Sequence, residues 1–169
     1  FYGMAFISLF VLGRLQVQSF QSYPYIIWFL FKFLITSAVL FLLYSLVWKK
    51  IEKNKSHNSL FNLRSVSIYS ISIILSLLGT NVFYISQIIL NLAILSSSIR
   101  NLIKEKNKYP FLKYYSIAIC ASLLHWVSGY LVELGVQAVS LVIFSIAGNL
   151  AFFMIFLGGI LNVTKTKKK

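Results

Sequence analysis

Nearly all the charge on this chain falls in three basic clusters separated by long apolar stretches. Lys49, Lys50, Lys53, Lys55 and Arg64 form the first cluster. Arg100, Lys104, Lys106, Lys108 and Lys113 form the second, and Lys165, Lys167, Lys168 and Lys169 the third. The stretches Tyr25 to Trp48, Ser65 to Ile99 and Tyr114 to Val163 lie between them and carry almost no charge. Inside a bilayer every backbone N–H and C=O must be satisfied within the protein, which leaves helices or a closed barrel. These runs are continuously apolar rather than alternating, so the expected fold class is all-α, a polytopic helical membrane protein.

Composition points the same way. The chain is 59% hydrophobic and 11% charged, against about 25% charged residues in a soluble domain. Residues 1–169 read as one transmembrane helical domain. A net charge of +13 suggests nucleic acid in a soluble protein. Here the basic segments are short and flank apolar spans, without interleaved aromatics. They read as cytoplasmic, positive-inside loops attracted to the anionic headgroups of the bilayer, with no nucleic-acid partner.

The clusters also set the topology. Tyr25 to Trp48 is one span, with Trp28 and Trp48 near its ends as interfacial anchors and Lys32 placed to snorkel. As a single helix Ser65 to Ile99 measures about 52 Å, well beyond a hydrocarbon core of about 30 Å. A single span also puts the first two basic loops on opposite sides. A turn at Gly79-Thr80-Asn81 avoids both problems, with helices over Ser65–Leu78 and Val82–Ser98. The same reasoning divides the last stretch at Glu133–Gln137, with helices over 112–132 and 138–163. Phe1 to about Gln18 reads as the tail of a helix whose beginning is missing. The expectation is six transmembrane helices in three hairpins, with the basic loops and both ends cytoplasmic in an unspecified membrane.

Several chemistries are excluded. Cys120 is the single cysteine, so neither an intrachain disulfide nor a cysteine metal site is available. The acids are Glu52, Glu105 and Glu133 alone, with no Asp. Carboxylate-pair hydrolysis and two-metal chemistry need converging acids. His57 lies in a polar loop, away from His125 and its span. The expectation is no enzyme, no cofactor and no metal.

Polar residues inside apolar spans are the remaining candidates for function. Ser122, His125 and Gly129 share a helix face, with Trp126 and Tyr130 as an aromatic wall and Glu133 at the outer turn. Gln87 and Asn91 share a face one turn apart. Asn149, accompanied by Ser145 and Gly148, is placed to meet them. The candidate ligand site is therefore His125, Gln87, Asn91, Asn149, Tyr130 and Trp126. The plainer alternative treats these residues as hydrogen-bonding glue between helices, each contact worth about 0.6–2 kcal/mol. Serines 65, 67, 70, 72 and 76 follow no single stripe and read as backbone-bonded or packing residues. Asn54-Lys-Ser56 and Asn162-Val-Thr164 match the glycosylation pattern but fall on the cytoplasmic side.

These features suggest a membrane protein of the transport class, or a subunit of a transport system, binding a small molecule within its helices. Two alternatives carry different requirements. A structural or assembly subunit of a larger membrane complex needs packing faces and other membrane subunits but no pocket. A sensor region is a piece of a longer chain.

Overall fold

The structure, a computed structural model, describes residues 23–51, 63–104, 111–136 and 138–166. These form five helices: α1 (Tyr23–Ile51), α2 (Leu63–Leu77), α3 (Thr80–Lys104), α4 (Phe111–Glu133) and α5 (Val139–Thr166). Four contain stretches long and apolar enough to cross a bilayer: Tyr25–Leu46, Thr80–Lys104, Phe111–Glu133 and Val139–Asn162. With only 15 residues, α2 reaches about 22 Å, short of a full span. The expected six spans thus become four long apolar helices and one shorter one. The first expected segment, Phe1 to Gln18, lies outside the described residues, as does His57.

The chain divides into two compact units, Phe1–Phe83 and Tyr84–Lys169. In the first, α1 and α2 pack antiparallel. Tyr69 of α2 sits between Phe33 and Phe41 of α1, with ring centroids 6.3 and 5.6 Å away. Lys32, earlier in α1, reaches Leu78, later than Tyr69. Leu34, Ile35, Ala38 and Val39 of α1 are buried. The serines of α2 satisfy themselves locally: Ser70, Ser72 and Ser76 bond the carbonyls of Val66, Ile68 and Ser72. This folds each hydroxyl back onto its own helix and removes its hydrogen-bonding demand.

The expected turn at 79–81 is narrower in the structure. Leu78 N–H donates to Leu75 O at 3.4 Å, closing α2, and Phe83 N–H donates to Gly79 O at 2.9 Å, opening the next ladder. Thr80 and Asn81 therefore belong to α3, and the break is Leu78–Gly79 alone. Gly79 supplies the carbonyl that accepts the first bond of α3, so no longer turn is needed to restart the helix.

In the second unit α4 and α5 form an antiparallel pair joined by a tight turn. Gly135 adopts a φ of +88° there, a conformation that a side chain resists. Leu134 N–H and Val136 N–H bond back to Tyr130 O and Leu131 O. The turn falls within the expected Glu133–Gln137 segment. Two glycines let the helices touch: a Cβ on Gly148 would lie 2.8 Å from Ala121 O and 2.9 Å from His125 N. One on Gly159 would lie 2.7 Å from Tyr114 Cβ. At the far end from the turn, Asn162 Nδ2 donates to Tyr114 Oη at 2.8 Å. Aromatic contacts of Phe111 and Tyr115 with Phe156 fill that end. The α3 segment from Tyr84 onward runs antiparallel to α4, since Tyr84 meets Trp126 and Gly129 while Ser98 bonds Ser116 at 2.7 Å.

Candidate functional site

The polar face expected on the fourth helix is present and largely buried. Ser122 and Trp126 are buried and His125 is half-buried. His125 Nδ1 lies 3.0 Å from Ser145 O and 2.9 Å from Ser145 Oγ, both on α5. A carbonyl oxygen only accepts, so Nδ1 carries the proton of the neutral ring and donates it to Ser145 O. In that tautomer Nε2 keeps its lone pair, and the Ser145 hydroxyl, able to donate or accept, suits either tautomer. The contact depends on Gly148: with no side chain there, the α5 backbone approaches His125 closely enough for Ser145 to reach its ring.

Trp126 faces the other neighbour. Its ring meets Tyr84 edge-on, centroids 5.7 Å apart, and His125 edge-on at 5.0 Å. Tyr130 lies 6.4 Å from Tyr84. Tyr84 was not among the residues singled out from the sequence, yet it is the partner that turns Trp126 and Tyr130 into one aromatic group. A Cβ on Gly129 would fall 2.9 Å from its ring. The available signal was spacing: Tyr84, Gln87 and Asn91 share one helical stripe.

Gln87 and Asn91 are both buried, at 0% and 1% exposure. Asn91 Nδ2 donates to Gln87 O at 2.9 Å, along its own helix. Its Oδ1 has no hydrogen-bond partner among the described residues. A buried acceptor left in that state costs about 1–3 kcal/mol.

Helix register supplies the relative levels. Asn91 lies midway between Tyr84 and Ser98, which meet Gly129 and Ser116 of α4. The midpoint of that α4 segment is at Ser122–Leu123. Gly148 packs on Ala121 and His125, which brings Gly148–Asn149 to the same level. Asn91, Ser122 and Asn149 thus share one layer across three helices, with His125 next to it. Asn149 is half-buried. Among the described residues, no hydrogen bond joins His125 to Gln87, Asn91 or Asn149. The layer is a shared level, not a closed network.

Among the described residues no three His, Cys, Asp or Glu side chains converge as metal ligands. Cys120 is exposed. No family model, curated protein or solved structure matches the chain.

Proposed function

We propose that this chain is a non-enzymatic multi-pass membrane protein of the transport class, or the membrane-embedded subunit of a transport system. A small molecule binds at the layer of Asn91, Ser122, His125 and Asn149. Gln87 backs this layer, and Trp126 and Tyr130 form its aromatic side. The observation that carries the reading is the polar state of the layer. Asn91 holds a buried acceptor without a described partner, and with Nδ1 donating to Ser145 O, His125 Nε2 is a second acceptor. A ligand with N–H or O–H donors suits both.

The topology proposed with this function keeps the three hairpins, the cytoplasmic basic loops and the cytoplasmic termini. Antiparallel packing of α1 with α2, of the α3 segment from Tyr84 with α4, and of α4 with α5 supports it. Arg100, Lys104 and Lys113 are exposed at the same end of the second unit, suited to anionic headgroups.

Cysteine accessibility tests the cavity. In a Cys120→Ser background, Asn149→Cys and Ser122→Cys are treated with a small charged thiol reagent in intact membranes. Reaction at both positions is expected, and His125→Phe should slow it by filling the space. Complete protection at both, with reaction retained at an exposed loop control, would instead describe a solid core.

That outcome favours the assembly-subunit reading, for which one observation speaks. Only 11% of the apolar window in α5 is buried, leaving a long face for lipid or for another membrane subunit.

A further inference from the structure

Polar side chains of the second unit keep hydrogen-bonding capacity that no described residue uses. Asn91, at 1% exposure, has an unmet Oδ1. Ser122 is at 4% exposure, and its hydroxyl makes no hydrogen bond among the described residues. The same holds for the side-chain amide of Asn149. With Nδ1 donating to Ser145 O, His125 Nε2 is a further acceptor. Asn91, Ser122 and Asn149 share one level, and His125 is a turn from Ser122. A buried hydroxyl or amide without a partner is costly, so several gathered at one level point to an occupant that completes them.

The chemistry of these groups selects that occupant. Along α3 and α4 the nearest cations, Arg100 and Lys113, stand about 14 Å from the layer, and Glu133 about 16 Å. An ion seated there would lack a counter-charge among the described residues of the second unit, and a buried unpaired ion is strongly disfavoured. The occupant is therefore neutral. It also needs donors and acceptors together. Asn91 Oδ1 and His125 Nε2 accept, Asn149 Nδ2 donates, and Ser122 Oγ does either. A carboxylate only accepts and an ammonium only donates, whereas a hydroxyl does both. The groups are spread over α3, α4 and α5, so a single hydroxyl does not reach them all. Helix axes about 8–10 Å apart leave room between side chains for a few carbon atoms. Trp126, whose ring centroid lies 5.0 Å from that of His125, gives a carbon chain an apolar neighbour.

We infer, resting on the ligand-binding reading of this layer, that its occupant is a small neutral polyol, a few carbons long with a hydroxyl on each. Its hydroxyls donate to Asn91 Oδ1 and His125 Nε2 and accept from Asn149 Nδ2, and Ser122 completes the set.

Protection of an engineered thiol tests the polyol. Ser122→Cys and Asn149→Cys, each in a Cys120→Ser chain in intact membranes, are treated with a small charged thiol reagent near neutral pH. The reaction is run alone and with glycerol, glycerate or serinol, three-carbon compounds that are neutral, anionic and cationic. Urea serves as an amide. Glycerol should slow the reaction saturably at both positions, and glycerate and serinol should act roughly tenfold more weakly or not at all, since each carries a charge into the layer. Urea should also be weak. Leu134→Cys, at an exposed position beside the Gly135 turn, should react at one rate throughout. Asn91→Leu should raise the half-protecting glycerol concentration by about tenfold, the loss of one hydrogen bond. Asn149→Ala, read at Ser122→Cys, serves if Asn91→Leu does not fold. The two possible failures are distinguishable. Without ligand, no reaction at either cysteine removes the cavity, and with it both the ligand-binding reading and the polyol. Free reaction that glycerol does not slow, or that urea, glycerate or serinol slows equally, keeps the cavity and overturns the polyol. Glycerol protection unchanged in both Asn91→Leu and Asn149→Ala overturns it as well.

Discussion

The two units solve the same problem, a polar group inside an apolar helix pair, in opposite ways. In the first, α1 buries a full charge, Lys32, and meets it with the backbone of a helix end and two aromatic faces. In the second, the buried polar groups described on α3, α4 and α5 are neutral, and at Gly148 α5 comes directly against the α4 backbone. Deleting a charge removes a long-range interaction, whereas deleting a neutral bond removes a local one. At Gly148 the contact is backbone against backbone and leaves no room for an added methyl, which makes that point of the second unit fragile to small increases in volume.

The largest expected effect tests that fragility. Gly148→Ala places a methyl 2.8 Å from a backbone oxygen, and neither helix can yield without breaking the His125–Ser145 contact. The expected loss is about 3 kcal/mol, the upper range for overpacking. Gly129→Ala meets only the Tyr84 ring, which can turn, so about 1 kcal/mol is expected. Unfolding in a detergent titration gives both numbers. Equal losses would show that the α4–α5 contact has no special status.

Next in size is Phe152→Lys. Phe152 is buried and lies mid-span, where a lysine costs about 2.5–3.5 kcal/mol on the insertion scale. The natural lysine, Lys32, offers the contrast. Lys32→Met should cost about 1–3 kcal/mol, because it leaves the Leu78 carbonyl unmet. Membrane-inserted yield separates the two variants. A neutral Lys32→Met would mean that the Leu78 carbonyl is satisfied by water at the interface.

Smaller still is Ser145→Ala. The backbone carbonyl of Ser145 still accepts from His125 Nδ1, so only the hydroxyl contact is lost. About 0.6 kcal/mol is expected, the average for a bond between helices in a membrane. His125→Ala removes both contacts and should cost visibly more in the same unfolding assay. If the two variants matched, the hydroxyl rather than the carbonyl would be holding the ring.

The sequence makes the helices legible because long apolar runs leave the backbone few alternatives. Glu133–Gln137 was readable as a turn because Gly135 and its polar neighbours interrupt such a run, and the structure places the reversal there. Its reading was less sharp at Gly79-Thr80-Asn81. Thr and Asn favour turns in isolation, but both also suit the first turn of a helix, and here they lie in α3. Lys32 was expected to reach interfacial water along α1. It does extend toward the Trp28 end, but there it meets α2, a neighbour that no single-helix argument can supply. Tyr84 was overlooked for the same reason: an aromatic residue in an apolar run has no signature until its partners are known. Polar residues stand out against lipid, so Gln87, Asn91, His125 and Asn149 could be named. Their spatial relation depends on the register among α3, α4 and α5, which is set by glycines whose role appears only in contact.

The two close approaches at Gly148 and Gly159 have a mechanical consequence. A single pin between two rods lets them pivot, but two pins spaced along their length prevent both sliding and rolling. Locked in this way, α4 and α5 act as one strut with the stiffness of a thicker beam.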